Sequence, residues 1–222
     1  MHHVGWSHCW EAEGAAIILP DGCRDLLVTT GPDGRQRVSL TDWDTGPRAV
    51  RVAAGTQMAG FRLRPGMVPD PLLLRRVVAA AQTRGEAAGI GALLESGVAA
   101  DREMEQVIDA LAQSCGTGAE VARQAGVVPR TLQRRLAGLG LPPPDFWRLL
   151  GRARRAAASL GPDRSLADIA CAFGYSDQAH MTREFTRWFG LTPARLSRRR
   201  AELGLLAQPG LGNWTGEQIS MR

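Results

Sequence analysis

The run Ser165-Leu166-Ala167-Asp168-Ile169-Ala170, followed by Gly174-Tyr175 and then Met181-Thr182-Arg183-Glu184-Phe185, decides how this chain is read. It repeats an earlier run: Thr117-Gly118-Ala119-Glu120-Val121-Ala122, then Gly126-Val127, then Leu132-Gln133-Arg134-Arg135-Leu136. The offset is 48 residues through the glycine and 49 beyond it. Thr117 with Glu120, and Ser165 with Asp168, have the spacing that opens a helix by satisfying its free amide groups. Val121-Ala122 and Ile169-Ala170 face inward, the small Ala allowing a second helix to approach. Gly126 and Gly174 fall where the first helix must end, in a backbone conformation that glycine tolerates. Leu132 and Leu136, like Met181 and Phe185, are four apart and grip the first helix, while Arg134 and Arg183 between them point outward.

This pattern predicts two helix-turn-helix units, in which a second helix is presented for the major groove of a duplex. Helix, glycine, helix is common in all-α proteins, so one copy says little. Two copies with matched caps, turns and outward arginines say much more. The bland alternative is a duplicated helical hairpin with no nucleic-acid role. Between the copies, Asp145–Leu160 is rich in Ala, Leu and Arg and predicts one continuous helix. Pro142-Pro143-Pro144 precedes it and Gly161-Pro162 ends it. A rigid connector of this kind fixes the distance between two recognition helices, which read major-groove segments about 34 Å apart.

Charge follows the same division. Residues 1–114 hold 11 Arg against 14 acids, residues 115–200 hold 15 Arg against 6 acids, and residues 201–222 hold one Arg and two Glu. The net +5 therefore hides a segment of +9 beside one of −3. No Lys occurs, so every basic side chain is Arg, whose planar fork suits phosphate and guanine. Genome composition accounts for the missing Lys but not for the clustering. No apolar run approaches the ~18 residues of a membrane span, and the N-terminus lacks the basic-then-apolar pattern of a secretory signal. The expected location is the cytoplasm, with the nucleoid, and no membrane partner. Cys9, Cys23, Cys115 and Cys171 form no CxxC pair and read as reduced thiols.

Residues 1–70 predict a β-rich unit: Ile17–Leu19, Leu26–Thr30, Arg37–Leu40, Ala49–Ala53 and Met58–Leu63 are short apolar runs between turn signals such as Pro20-Asp21-Gly22 and Pro32-Asp33-Gly34. Residues 71–114 change to helical spacing through Leu72, Leu73, Val77, Val78, Leu93, Leu94, Met104, Val107, Ile108 and Leu111, punctuated by Gly85, Gly89, Gly91 and Gly97. Two or three helices are expected there, packed under the sheet or forming a dimer surface. Residues 201–222 read as a loosely held tail with Leu203, Leu205, Leu206 and Trp214 available to dock. The fold class is α+β: a β-rich N-terminal domain, a helical middle segment, and an all-α domain over 115–200 with two helix-turn-helix motifs joined by a connector helix.

Residues 115–197 resemble the AraC/XylS-type DNA-binding domain of bacterial transcription regulators. The resemblance rests on Asp168-Ile169-Ala170, Gly174-Tyr175-Ser176-Asp177-Gln178, Met181, Arg183, Phe185 and the closing Phe189-Gly190-Leu191-Thr192-Pro193. It extends to Ala122, Gly126, Leu132, Arg134 and Leu136 in the first copy and to Arg152 and Ala156 in the connector. Val128 departs from it, standing where the family usually has a capping Ser. Pro129 at the first helical position partly compensates. Upstream, Leu19–Leu26 and Gly60–Gly66 are similar to the short sensor-like domain of some of these regulators, a reduced cupin-type sheet.

The resemblance implies double-stranded operator or promoter DNA as partner, with RNA polymerase, a small-molecule effector and a second copy of the chain as further candidates, and no cofactor. It implies base-edge contacts for Gln178, His180 and Arg183, a helix cap at Asp177, and a phosphate contact for Arg187. In the first copy Arg130, Gln133 and Arg134 are the groove-facing candidates, and Thr131 and Arg135 the backbone contacts. Arg152 either meets phosphate or supports the connector. Met181, Phe185, Trp188 and Phe189 read as core, and Trp147 as packing between connector and first module. Ligand-lining candidates are Trp6, His8 and Trp10, which share a strand face at period two, with Trp43 approaching them; ordinary core is the competing reading. His2, His3, His8, Cys9 and Cys23 match no standard zinc spacing, so no metal is expected. Two other functions stay open. One is a cysteine-based alkyl-transfer DNA repair regulator, with Cys23 beside Arg24 as nucleophile although no Pro-Cys-His-type motif is present. The other is a small-molecule binding protein whose helical half serves assembly.

Overall fold

The computed structural model describes residues 2–84, 88–97 and 101–215. Alternation of apolar and polar residues, broken by turns, gives six strands: β1 His3–Cys9, β2 Gly14–Ile18, β3 Arg24–Thr30, β4 Gln36–Leu40, β5 Arg48–Val52 and β6 Gln57–Leu63. Four of them form an antiparallel sheet in the order β1-β6-β3-β4, and β2 pairs with β5 in a second, two-stranded sheet. Trp6 lies opposite Gly60 across the β1–β6 pair, and a side chain at residue 60 would collide with the indole.

Three helices follow: α1 Pro71–Arg84, α2 Ala88–Gly97 and α3 Arg102–Gln113. They divide between two cores. Leu73, Val77, Ile90 and Leu94 pack with Leu26, Phe61 and Leu63 of the four-stranded sheet. Met104, Ile108 and Leu111 of α3 pack with the C-terminal helices. The middle segment expected over 71–114 is therefore split, because α3 presents an unbroken apolar face toward the helical half. Gly85 and Gly216 lie outside the described residues.

The C-terminal half contains α4 Gly118–Gln124, α5 Pro129–Gly138, α6 Pro144–Ala158, α7 Leu166–Ala172, α8 Gln178–Phe189, α9 Pro193–Leu196 and α10 Arg200–Ala207. α6 is the central post, with Trp147, Leu150, Ala153 and Ala156 fully buried. At Gly151 the crossing with α3 is so close that a Cβ would lie 2.6 Å from the Ala112 backbone.

Residues 200–215 correct the expectation of a loose tail. Arg154, buried on α6, donates to Leu206 O, Gln208 O and Leu211 O, each at 3.1 Å, and to Asn213 Oδ1 at 3.0 Å. Leu206 and Leu211 are buried, and Leu211 N donates to Asp21 O at 2.7 Å. A buried guanidinium that collects carbonyl oxygens fixes the segment that supplies them, since it would otherwise lie unsolvated.

Candidate nucleic-acid interface

The two turns are built alike from the chain upward. In the first, Glu120 N donates to Thr117 Oγ1 and Thr117 N donates to Glu120 Oε2, a reciprocal cap. In the second, Asp168 N donates to Ser165 Oγ, and the hydroxyl donates to the Asp168 carboxylate instead of leaving it for the backbone. Gly126 and Gly174 both sit in the left-handed region, at φ 70° and 72°. Beyond them Val127 N reaches Ala122 O and Tyr175 N reaches Ala170 O, both at 2.9 Å. This closes the first helix and aims the second.

The second helices, α5 and α8, bury one face and expose the other. Leu132 and Leu136 are buried on α5, and Met181, Phe185, Trp188 and Phe189 on α8. Arg130, Thr131, Gln133 and Arg134 are exposed on α5, and Gln178, Arg183 and Arg187 on α8. Arg130, Arg134 and Arg183 have no acidic partner within 4 Å among the described residues. Arg187 lies 4.9 Å from the centroid of the Trp188 ring. Asp177 is occupied as the cap of α8, accepting His180 N at 2.6 Å. α5 starts at Val128 with no side-chain cap, and Val128 is 65% exposed.

Other arginines are spent on the fold. Arg152 corrects the DNA-facing assignment: only 4% exposed, it pairs with Glu184, donates to Gly174 O at 3.1 Å and stacks 4.3 Å from the Tyr175 ring centroid. Of its two sequence readings, support of the connector is the one with this geometry. Burial and the neighbouring Glu184 push the Tyr175 hydroxyl above its usual range, so it stays protonated. Arg135, a backbone-contact candidate, clasps the Glu103 carboxylate at 2.6 and 3.0 Å at the surface and ties α5 to α3. His180 is half-enclosed: Nδ1 lies 3.1 Å from Ser176 Oγ, Nε2 3.5 Å from Glu184, and its ring meets Tyr175 edge-on.

In the N-terminal half, Trp6 and Trp10 line a cavity between the two sheets. His8 packs edge-on to Trp10 but lies outside that lining. Trp43 corrects its expected place more strongly, since it packs 5.2 Å from Trp147 and 6.4 Å from Phe146 on α6. Cys23 is buried, and burial together with Asp21 pushes its thiol well up, which opposes the thiolate that alkyl transfer needs. No group of three or more His, Cys, Asp or Glu placed to hold a metal occurs among the described residues.

Arg154 and Arg62 are functional-looking residues that sequence reasoning did not single out. Arg154 shares a helical face with Leu150 and Ala157, four before and three after, and that spacing was its signal. Arg62 carries no comparable local signal, because its partners Asp21 and Asp25 come from β3 and the turn before it.

The family match over the helical half agrees with this geometry. Residues 121–199 match a helix-turn-helix domain family. The transcriptional regulator VirS of Mycobacterium tuberculosis is 31% identical over 192 residues, 82% of this chain and 55% of that protein, so the chain spans about half the length of this relative. The uncharacterized HTH-type transcriptional regulator Rv1395 of M. tuberculosis is 34% identical over 88 residues, 37% of this chain and 24% of that protein. Among solved structures, ToxT from Vibrio cholerae superposes with a TM-score of 0.45 at 8% identity, covering 93% of this chain and 98% of that one. A ToxT structure described as bound to unsaturated fatty acid gives 0.44 at 7%, covering 99% and 98%. Residues 121–199 thus form a helix-turn-helix domain, with α6 connecting its two units. The family match is to this helix-turn-helix domain, the part of the chain that resembles the AraC/XylS type.

Proposed function

We propose that the chain is a sequence-specific DNA-binding transcription regulator. Its two recognition helices, α5 and α8, enter successive major-groove segments of one operator, and its β-rich half supplies the control input, through a signal or through dimerisation. The observation that supports this reading is the sorting of the arginines. Those that the fold needs are paired and turned inward; Arg130, Arg134 and Arg183 are left exposed and without acidic partners on the faces of the two helices that match the reading positions. Arg134 and Arg183 read guanine edges, Gln133 and Gln178 adenine, and Thr131 and Arg187 position the backbone. Such a protein works in the cytoplasm, on the nucleoid.

The test is binding of the full chain to DNA from beside its own gene, with a salt titration. Affinity should fall steeply with salt and exceed that for unrelated DNA. Joint replacement Arg134→Ala and Arg183→Ala should cost roughly 1–3 kcal/mol per arginine in specific binding while circular dichroism and Tm stay unchanged. Specific binding that survives the double change would return the helical half to an assembly role.

A further inference from the structure

The cavity between the two sheets measures about 340 Å³, within the range of small-ligand sites. Its wall is mainly apolar: the indoles of Trp6 and Trp10, Leu27, Val50 and Met58. Four charged residues reach it, Asp21, Asp25, Arg48 and Arg62, two of each sign. All are already paired. Arg62 lies 3.2 Å from Asp21 and 3.4 Å from Asp25, Trp6 Nε1 donates to Asp25 at 3.4 Å, and Arg48 holds Asp44 at 2.6 Å. A charged guest would give up hydration without meeting a spare counter-charge, which is unfavourable in an apolar wall.

One side of this cavity does not belong to the β-rich half. Leu205 and Gln208, on and just after α10, complete it. Arg62 donates from one side to Gln208 Oε1 and Pro209 O, both at 3.3 Å. Arg154 of the connector α6 donates from the other side to carbonyls of the same stretch. The segment that closes the cavity is therefore held between two arginines, one from each half of the molecule.

We propose that this cavity binds an uncharged, mainly apolar molecule of one or two fused rings, and that α10 and the stretch through Asn213 carry its occupancy to the connector helix. The second part rests on the regulator reading above; the first does not. The wall favours ring-bearing guests because two indoles supply flat apolar area with little conformational freedom to lose.

The experiment uses the full chain and four probes: indole and 2-naphthol, both uncharged at pH 7, indole-3-acetate as the anion and tryptamine as the cation. Calorimetric titration should show the uncharged pair binding at least about tenfold more tightly than the charged pair. Leu205→Trp, which fills the cavity from α10, and Val50→Phe, which fills it from β5, should each abolish binding, and Leu205→Met should retain it. Saturating indole should shift the chain's affinity for its own promoter DNA about threefold or more, and the shift should disappear in Leu205→Trp. Equal or tighter binding of either charged probe, or no binding by any of the four, overturns the ligand class. Indole binding with unchanged DNA affinity overturns the coupling. Indole binding by a chain that binds no specific DNA sinks the regulator reading and the coupling together, and supports the cavity assignment on its own.

Discussion

The two helix-turn-helix copies share a turn but not a foundation. The second rests on buried chemistry: Arg152 under Tyr175, paired with Glu184 of α8 itself, with Asp177 capping that helix and Gly190 closing it at φ 68°. The first rests on the surface: Arg135 of α5 clasps Glu103 of α3 in the open, and α5 begins at Val128 with no cap. Both copies bury an apolar grip, Leu132 and Leu136 in the first and Met181 and Phe185 in the second, but the ion pair that ties the second helix down is exposed in the first copy and buried in the second.

The contrast breaks most sharply at the two ion pairs. Glu184→Ala leaves the Arg152 guanidinium buried without a carboxylate and should cost about 3–5 kcal/mol of stability. Glu103→Ala removes an equally well-formed pair that water replaces at once, and its effect should be much smaller. Chemical denaturation of the two variants measures the difference. A Glu184→Ala midpoint that matches that of Glu103→Ala would erase the distinction between the copies. Next in size is Gly151→Ala on the connector that both copies share. The added methyl meets the Ala112 backbone, and overpacking of that kind costs about 1–3 kcal/mol. Because the strain falls on α6, DNA binding by both modules should weaken together.

The same comparison explains what was legible in the sequence. Caps, turns and grip are short-range grammar: Thr117 with Glu120, Ser165 with Asp168, the two glycines, and apolar pairs four apart. Each is visible within a dozen residues, so both copies stand out. Five of the six strands, the period change near Pro71 and the connector were legible for the same reason. The anchors are not local. Glu184 is 32 residues from Arg152 and Glu103 is 32 from Arg135, and like-looking arginines on one basic segment give no sign of which will find an acid. Trp43 docks on α6 because its loop crosses to the other half, and α10 is fixed by a guanidinium 52 residues upstream. Long-range partners of this kind come from the packing of whole elements.

A smaller effect sharpens the contrast at the helix starts. Val128→Asp gives α5 the cap that Asp177 provides for α8, and should stabilise the chain by about 1 kcal/mol. Asp177→Ala should lose a similar amount, since its carboxylate satisfies His180 N. In thermal melts the first change should raise Tm and the second lower it. A Val128→Asp variant no more stable than the parent would mean that Pro129 already supplies what the missing cap would add.

The smallest predicted effect concerns pH and belongs to the first copy alone. The Arg135 hydrogen bond and charge hold the Glu103 carboxyl below its usual value of 4.5. A carboxyl depressed in the folded state contributes stability that is present above the unfolded value and is lost as pH falls through the folded one. The Tm gap between the parent and Glu103→Gln should therefore be present at neutral pH and close as the pH drops below about 4.5. Added salt should narrow it at neutral pH as well, because the pair is open to solvent. A gap that persisted in acid, or that ignored salt, would mean that Glu103 holds α3 to α5 through packing of its stem rather than through charge. In that case the first copy would no longer differ from the second by resting on a screened surface pair.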